Sequence, residues 1–146
     1  VGLALRQHSG WPEERIRERI DECLSLVDLR GTASLYSSEL SGGMKKRVGL
    51  ARAIAMSPKF LLYDEPTTGL DPITGRAIDR LIVDMQTKLG ITSVVVTHDL
   101  DSAFFVGDRI AMLHDGIIHF LGTPTEVADS TDPVVKQFVT GEGGSA

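Results

Sequence analysis

Cysteine is nearly absent from this 146-residue chain: Cys23 stands alone, so no disulfide can close within it. A single thiol fits a reducing compartment, and its expected role is a small buried apolar residue on a helix. An excess of positive charge is also missing. Lys and Arg total 15 against 20 Asp and Glu, a formal net charge of -5. That balance argues against a duplex nucleic-acid binder, which needs a basic face to neutralise phosphates. No apolar run approaches the length of a membrane span, and the first residues do not resemble a signal peptide. If the protein works at a membrane, it docks onto another chain. Internal repeats and low-complexity segments are lacking too. What is present is an ordinary globular composition and enough chain for one domain core. The opening run Val1-Gly2-Leu3-Ala4-Leu5 reads as the middle of something, so the chain is expected to be a piece of a longer protein.

Periodicity gives the elements. Ser9 to Glu14 reads as a helix start with Pro12 in the first turn. Ile16, Ile20, Cys23, Leu24 and Val27 then recur at helical spacing, with Gly31 as the stop. A second helix should begin at Ser41, its stripe being Met44, Val48, Ala51, Ile54 and Ala55, and end at Ser57-Pro58. Phe60 to Tyr63 reads as a buried parallel strand. Asp71-Pro72 opens a third helix, with Ile73, Ala77, Ile78, Leu81, Ile82, Met85 and Leu89 on one face and Gly90 at its end. Thr92 to Thr97 reads as a second buried strand. Asp99 can cap a short helix closed by Gly107, and Asp115-Gly116 is a type I′ hairpin signal between Arg109 to His114 and Ile117 to Leu121. Thr123-Pro124 and Asp132-Pro133 start two more helices. The tail from Gly141 looks disordered. Two strands separated by a helix predict a parallel α/β sheet with a crossover, to which the hairpin adds antiparallel edge strands. The helices before about residue 40 suggest a separate helical lobe, within which Trp11 should pack.

Four short stretches carry chemistry. Ser41-Gly42-Gly43 precedes a helix, where free N–H groups and the positive dipole end favour an anion. Asp64-Glu65 places two carboxylates at the C-terminal end of an apolar strand, where open α/β sheets bind ligands. Asp64 suits Mg²⁺ through a water, which leaves Glu65 to polarise an attacking water. His98 ends the second strand, near where Glu65 should lie, and can orient that water. Asp71 suits a helix N-cap. Each stretch alone has a plain structural reading: a capped helix, a charged loop, a hydrogen-bonded His, another cap. Their order and spacing are harder to explain that way.

In that order the chain resembles the nucleotide-binding domains of ATP-binding-cassette proteins. Leu40-Ser41-Gly42-Gly43-Met44, continued by Lys46-Arg47-Val48 and Leu50 to Ala53, is similar to the signature motif. Phe60 to Asp64 resembles the Walker B strand and Glu65 its catalytic carboxylate. Gly69-Leu70-Asp71 resembles the D-loop, and Thr97-His98-Asp99 the switch-histidine loop. The resemblance runs from about Leu3 to Gly141. It implies the C-terminal portion of a P-loop NTPase-like (RecA-like) parallel sheet, with the family's α-helical subdomain at its N-terminal end. The expected divisions are 1–56 for the helical subdomain and signature helix, 57–141 for the core from Walker B onward, and 142–146 for a disordered tail.

The resemblance also implies a mechanism. Two such domains pack head to tail, with ATP between the phosphate loop of one and the signature motif of the other. Ser41, Gly42 and Gly43 would bind the γ-phosphate of ATP held by the partner. Glu65 and His98 would act on ATP and Mg²⁺ held with Asp64 in their own subunit, and Asp71 would cross the interface. The implied partners are a second nucleotide-binding domain in a homodimer and transmembrane permease subunits, at the cytoplasmic face of the inner membrane. No nucleic acid is implied. One expected part is missing: no glycine here is followed by Lys and then Ser or Thr, so the chain has no G-x-x-x-x-G-K-S/T phosphate loop. The base-stacking aromatic and the glutamine loop are missing as well.

Met44, where most members carry Gln, together with Asp71-Pro72-Ile73, resembles the ATPases of Mla/Mkl-type phospholipid transporters, which adds a lipid-binding partner to the expectation. An amino-acid or other small-solute importer is the alternative within the class. Outside it stand a soluble cassette ATPase of DNA repair or translation, which would need coiled coils or basic arms, and a non-catalytic module, which would need neither Glu65 nor His98.

Overall fold

A computed structural model of the chain describes residues 1–141. The expected tail at 142–146 lies outside the described residues. The fold divides into two compact units, Val1–Val96 and the remainder from Thr97.

The first unit opens with a helix that the sequence reading did not assign, α1 (Leu3–His8), which buries Leu5. Its Leu, Ala, Arg and Gln content favours a helix, but six residues are too few to show a period. The next helix, α2 (Glu13–Leu26), starts one position later than expected. Pro12 is its extended N-cap, and Glu13 and Glu14 fill the first turn. Ile16, Cys23, Leu24 and Val27 are buried, as the stripe requires.

Gly31 is not the stop of α2. Asp28 turns the chain in the left-handed region (φ 56°), letting the Leu29 N–H reach the Leu24 carbonyl at 2.8 Å and its own N–H reach Ser25 at 3.3 Å. That pair of bonds is a Schellman closure, completed by burial of both Leu24 and Leu29. Trp11 is not packed away either. It is 41% exposed in the connection ahead of α2, with the Arg15 guanidinium 5.4 Å from its ring centre. It sits before the stripe begins, so no helix face carries it inward.

After a single 3-10 turn at Ser37–Glu39 comes α3 (Gly42–Ile54), capped by Ser41, whose Oγ accepts the Met44 N–H at 3.2 Å. Leu50, Ala51 and Ile54 are buried, whereas Met44 and Val48 are only half-buried. The C-terminal carbonyls of α3 are met from outside. Arg19 of α2 donates to Ile54 O at 2.9 Å and Ala55 O at 3.1 Å, which ties the two helices together.

Strands β1 (Phe60–Asp64) and β2 (Thr92–Val96) pair in parallel, Phe60 opposite Thr92 and Asp64 opposite Val96. The crossover between them is α4 (Pro72–Leu89), ended by left-handed Gly90 (φ 64°). Ile78, Leu81, Ile82 and Met85 form its buried face. Ile73 points into solvent, and Asp79, which the apolar stripe passed over, is buried. The strands were expected to be buried on both faces, and within this stretch of chain one face is covered. Leu61 and Tyr63 are covered, whereas Phe60 and Leu62 are 70% and 81% exposed and Val94 and Val96 more than half so. An apolar run shows that both faces can be buried; which face is covered depends on the elements packed there.

In the second unit, Asp99 caps α5 (Leu100–Val106) through the Ser102 N–H, and Gly107 is its C-cap. Strands β3 (Ile110–His114) and β4 (Ile117–Gly122) form the hairpin, with both Asp115 and Gly116 at positive φ as a type I′ turn demands. Among the described residues this hairpin is a sheet of its own, not edge strands added to β1–β2. A bulge after Met112 leaves His119 unpaired, and its Nε2 lies 3.1 Å from Asp132, the N-cap of α7 (Pro133–Thr140). Between them, α6 (Pro124–Ala128) begins with a Thr123–Glu126 capping box.

Candidate functional site

Six of the seven residues singled out from sequence lie in the first unit, at the ends of α3, β1 and α4. Ser41 holds the first turn of α3 in place, so the Gly42 and Gly43 N–H groups remain among those a helix leaves without internal partners. Gly43 has a packing reason as well. A Cβ there would stand 2.7 Å from Thr74 Cγ2 on α4, and one at Gly42 would sit 4.0 Å from Leu70. The tip of α3 therefore rests against the turn that leads into α4.

That turn is built around Asp71. Its Oδ1 accepts the N–H groups of Ile73 (3.1 Å) and Thr74 (3.0 Å), and its Oδ2 accepts Thr74 Oγ1 at 2.6 Å. The Thr74 hydroxyl, followed by its N–H, holds the Asp71 carboxyl below the usual aspartate range. A carboxylate with a depressed folded pKa stabilises the fold above its unfolded value of about 3.9, and that contribution is lost as pH falls through the folded value. Asp71→Asn keeps a capping oxygen but does not titrate. We expect its thermal midpoint to lie below wild type at neutral pH, with the gap closing as the pH is taken below the folded pKa of Asp71; thermal melts across an acid series would show it.

Asp64 is exposed at the last position of β1. Glu65 follows in the left-handed region at φ 47°, unusual for a residue with a side chain and a mark of functional positions. Hydrogen bonds from three directions help hold it there. Its N–H donates to Val96 O at 2.9 Å, extending the parallel ladder by one step. Its carbonyl accepts Lys46 Nζ at 3.2 Å and the Thr68 N–H at 3.3 Å, and its Oε2 accepts Thr68 Oγ1 at 2.8 Å. The carboxylate is thus oriented through its backbone and through one of its own oxygens. Among the described residues no three His, Cys, Asp or Glu side chains gather to cage a metal. A lone exposed carboxylate at Asp64 fits Mg²⁺ in the mode where phosphates and water supply most ligands.

His98 belongs to the second unit. It is exposed, between Thr97, whose Oγ1 accepts the Asp99 N–H at 3.0 Å, and Asp99, the cap of α5. Sequence reasoning missed Lys46, Thr68 and Thr74. The two threonines had a signal, since each stands three residues after an acid, the spacing at which a side chain closes a turn. Lys46 had none, because its partner is distant in sequence.

Comparison with known proteins finds relatives of the whole stretch. The family model for ABC transporter matches residues 3–68. The chain is 44% identical over 90% of its length to the methionine import ATP-binding protein MetN 2 of Rhodococcus jostii, of which it spans 39%. It is 41% identical over 97% of its length to the intermembrane phospholipid transport system ATP-binding protein MlaF of Haemophilus influenzae, of which it spans 54%. Among solved structures, the dimeric post-hydrolysis state of the ATP-binding cassette MJ0796 bound to ADP and Pi matches with a TM-score of 0.72 and 38% identity. That match covers 85% of this chain and 54% of the other.

Proposed function

We propose, since this chain belongs to the ABC transporter family of ATP-binding domains, that it supplies the signature helix and the catalytic carboxylate of an ATP-hydrolysing transport subunit. The carrying observation is structural. One unit holds the glycine tip of α3 and the left-handed Glu65 at the end of β1, fastened through Lys46 and through the contact of Gly43 with Thr74.

Ser41 and the first N–H groups of α3 receive the γ-phosphate of an ATP carried by a second copy, the positive helix end meeting negative charge. Asp64 is the residue that would hold Mg²⁺, which when bound neutralises phosphate charge. Glu65 accepts the proton of a water as its oxygen attacks the γ-phosphorus and the bond to the bridging oxygen of ADP breaks. The family resemblance assigns His98 to the nucleotide of its own subunit and Asp71 to the boundary between copies. Closure around ATP brings the α3 tip to its ligand, so binding drives motion in an attached permease. No helix among the described residues is long and apolar enough to cross a bilayer, and the permease is part of this proposal.

For cargo we propose phospholipid, supported by the match to MlaF across 97% of this chain and 54% of that protein, with a lipid-binding partner then expected. Amino-acid import is the second reading, favoured by the 44% identity to the methionine importer. Because this stretch of sequence holds no phosphate loop, the 146-residue chain by itself should bind Mg-ATP weakly or not at all. Isothermal calorimetry is the check: no heat attributable to binding at micromolar nucleotide is expected, and a micromolar Kd would contradict the division of labour.

A further inference from the structure

We infer that Lys46 is a positioning residue for the Glu65 carboxylate, linking the helix that meets one nucleotide to the acid that acts on another. This rests on the reading of Glu65 given above. Lys46 is half-buried, and its ammonium donates to the Glu65 carbonyl at 3.2 Å across 19 residues of sequence. A cationic donor makes a stronger bond to that carbonyl than the neutral Thr68 N–H at 3.3 Å.

The bond falls where it has leverage. Glu65 occupies a backbone region that side-chain-bearing residues rarely adopt (φ 47°), so its conformation persists only while its surroundings impose it. Of the bonds described, those with Val96 and Thr68 involve β2 and the local turn, whereas the Lys46 bond comes from α3. Lys46 lies one turn along α3 from Gly43, on the same face, and Gly43 abuts Thr74. A shift of the α3 tip toward or away from a phosphate therefore moves the Lys46 ammonium, and with it the peptide that aims the carboxylate. The signature helix thus acts on the hydrolytic geometry of its own subunit as well as on its neighbour's ligand.

The test uses a full-length ATPase carrying this sequence. Lys46→Met keeps the aliphatic stem and removes the donor, and Lys46→Arg restores a cationic donor. We expect the Met variant to lose about tenfold in kcat, as a small misplacement of a catalytic group does. KM for ATP should stay within about twofold and the melting temperature should be unchanged, with most of kcat regained by the Arg variant. In a Glu65→Gln background the Met substitution should cost nothing further. Wild-type kcat in Lys46→Met beside an inactive Glu65→Gln would overturn the role of Lys46 and leave that of Glu65 intact. So would a kcat loss matched by a lower melting temperature that Arg does not repair. Full turnover in Glu65→Gln would instead remove the catalytic reading itself.

Discussion

Glu65→Gln, introduced into a full-length ATPase that carries this chain, should lower ATP turnover by about two to four orders of magnitude, the range for removing a positioned general base. The substitution is nearly isosteric, and most of what holds residue 65 does not involve its charge. The bonds from Lys46 and Thr68 to its carbonyl, and from its N–H to Val96, are backbone contacts. The Thr68 hydroxyl can donate to an amide oxygen as it does to Oε2. Glutamine also tolerates the same backbone angle. Folding and ATP binding should therefore survive, while the water loses its proton acceptor, and closed ATP-bound dimers should accumulate. Single-turnover kinetics with gel filtration in Mg-ATP reads both effects. Turnover within twofold of wild type would remove Glu65 from its role.

The second large effect is expected at Gly43. In the Gly43→Ala variant the new methyl would stand 2.7 Å from Thr74 Cγ2, inside any real contact distance. Thr74 cannot rotate away cheaply, because its hydroxyl is engaged with Asp71 at 2.6 Å. We expect destabilisation of about 1–3 kcal/mol, as for other overpacked contacts, measured by urea denaturation of the chain. Thr74→Ser deletes Cγ2 and retains the hydroxyl, so the double variant should recover most of that loss. Turnover of the full-length enzyme should not recover with it. A methyl at Gly43 also occupies space beside the first N–H groups of α3, and Thr74→Ser does nothing about that. Recovery of stability without recovery of turnover separates the packing role of this glycine from its proposed role at a phosphate. Recovery of both would leave packing as its only function.

Much of this architecture was legible from residues whose effects are local. Ser41, Asp71, Asp99, Thr123 and Asp132 each cap the helix expected of them, because a cap depends on a side chain and the two or three N–H groups after it. The Asp115-Gly116 turn was legible for the same reason. Errors appear where the deciding partner is far away in sequence. The strands read as buried because Phe60, Leu62, Val94 and Val96 are apolar; within this stretch of chain those four are exposed, and no local pattern records what lies opposite. Gly31 was the obvious stop for α2, but the helix closes three residues earlier on Asp28 (φ 56°), with Leu24 and Leu29 both buried, and left-handed Gly31 (φ 77°) turns the chain after that closure.

The candidate site divides along the same line. Its acids and glycines could be named from spacing at strand and helix ends. What holds Glu65 could not, since the left-handed backbone and the Lys46 bond arise only when α3 meets the end of β1. The Thr68 and Thr74 hydroxyls were within reach of a reading that asked what each acid accepts three residues on.

A crystal structure of the Glu65→Gln full-length protein trapped with Mg-ATP tests the central claim most directly. Ser41 Oγ and the Gly43 N–H should lie within hydrogen-bonding distance of a γ-phosphate whose phosphate loop belongs to the other copy, with residues 64 and 65 facing the nucleotide of their own. A trapped nucleotide reached by no atom of the α3 tip, or residue 65 turned away from the γ-phosphate, would contradict it.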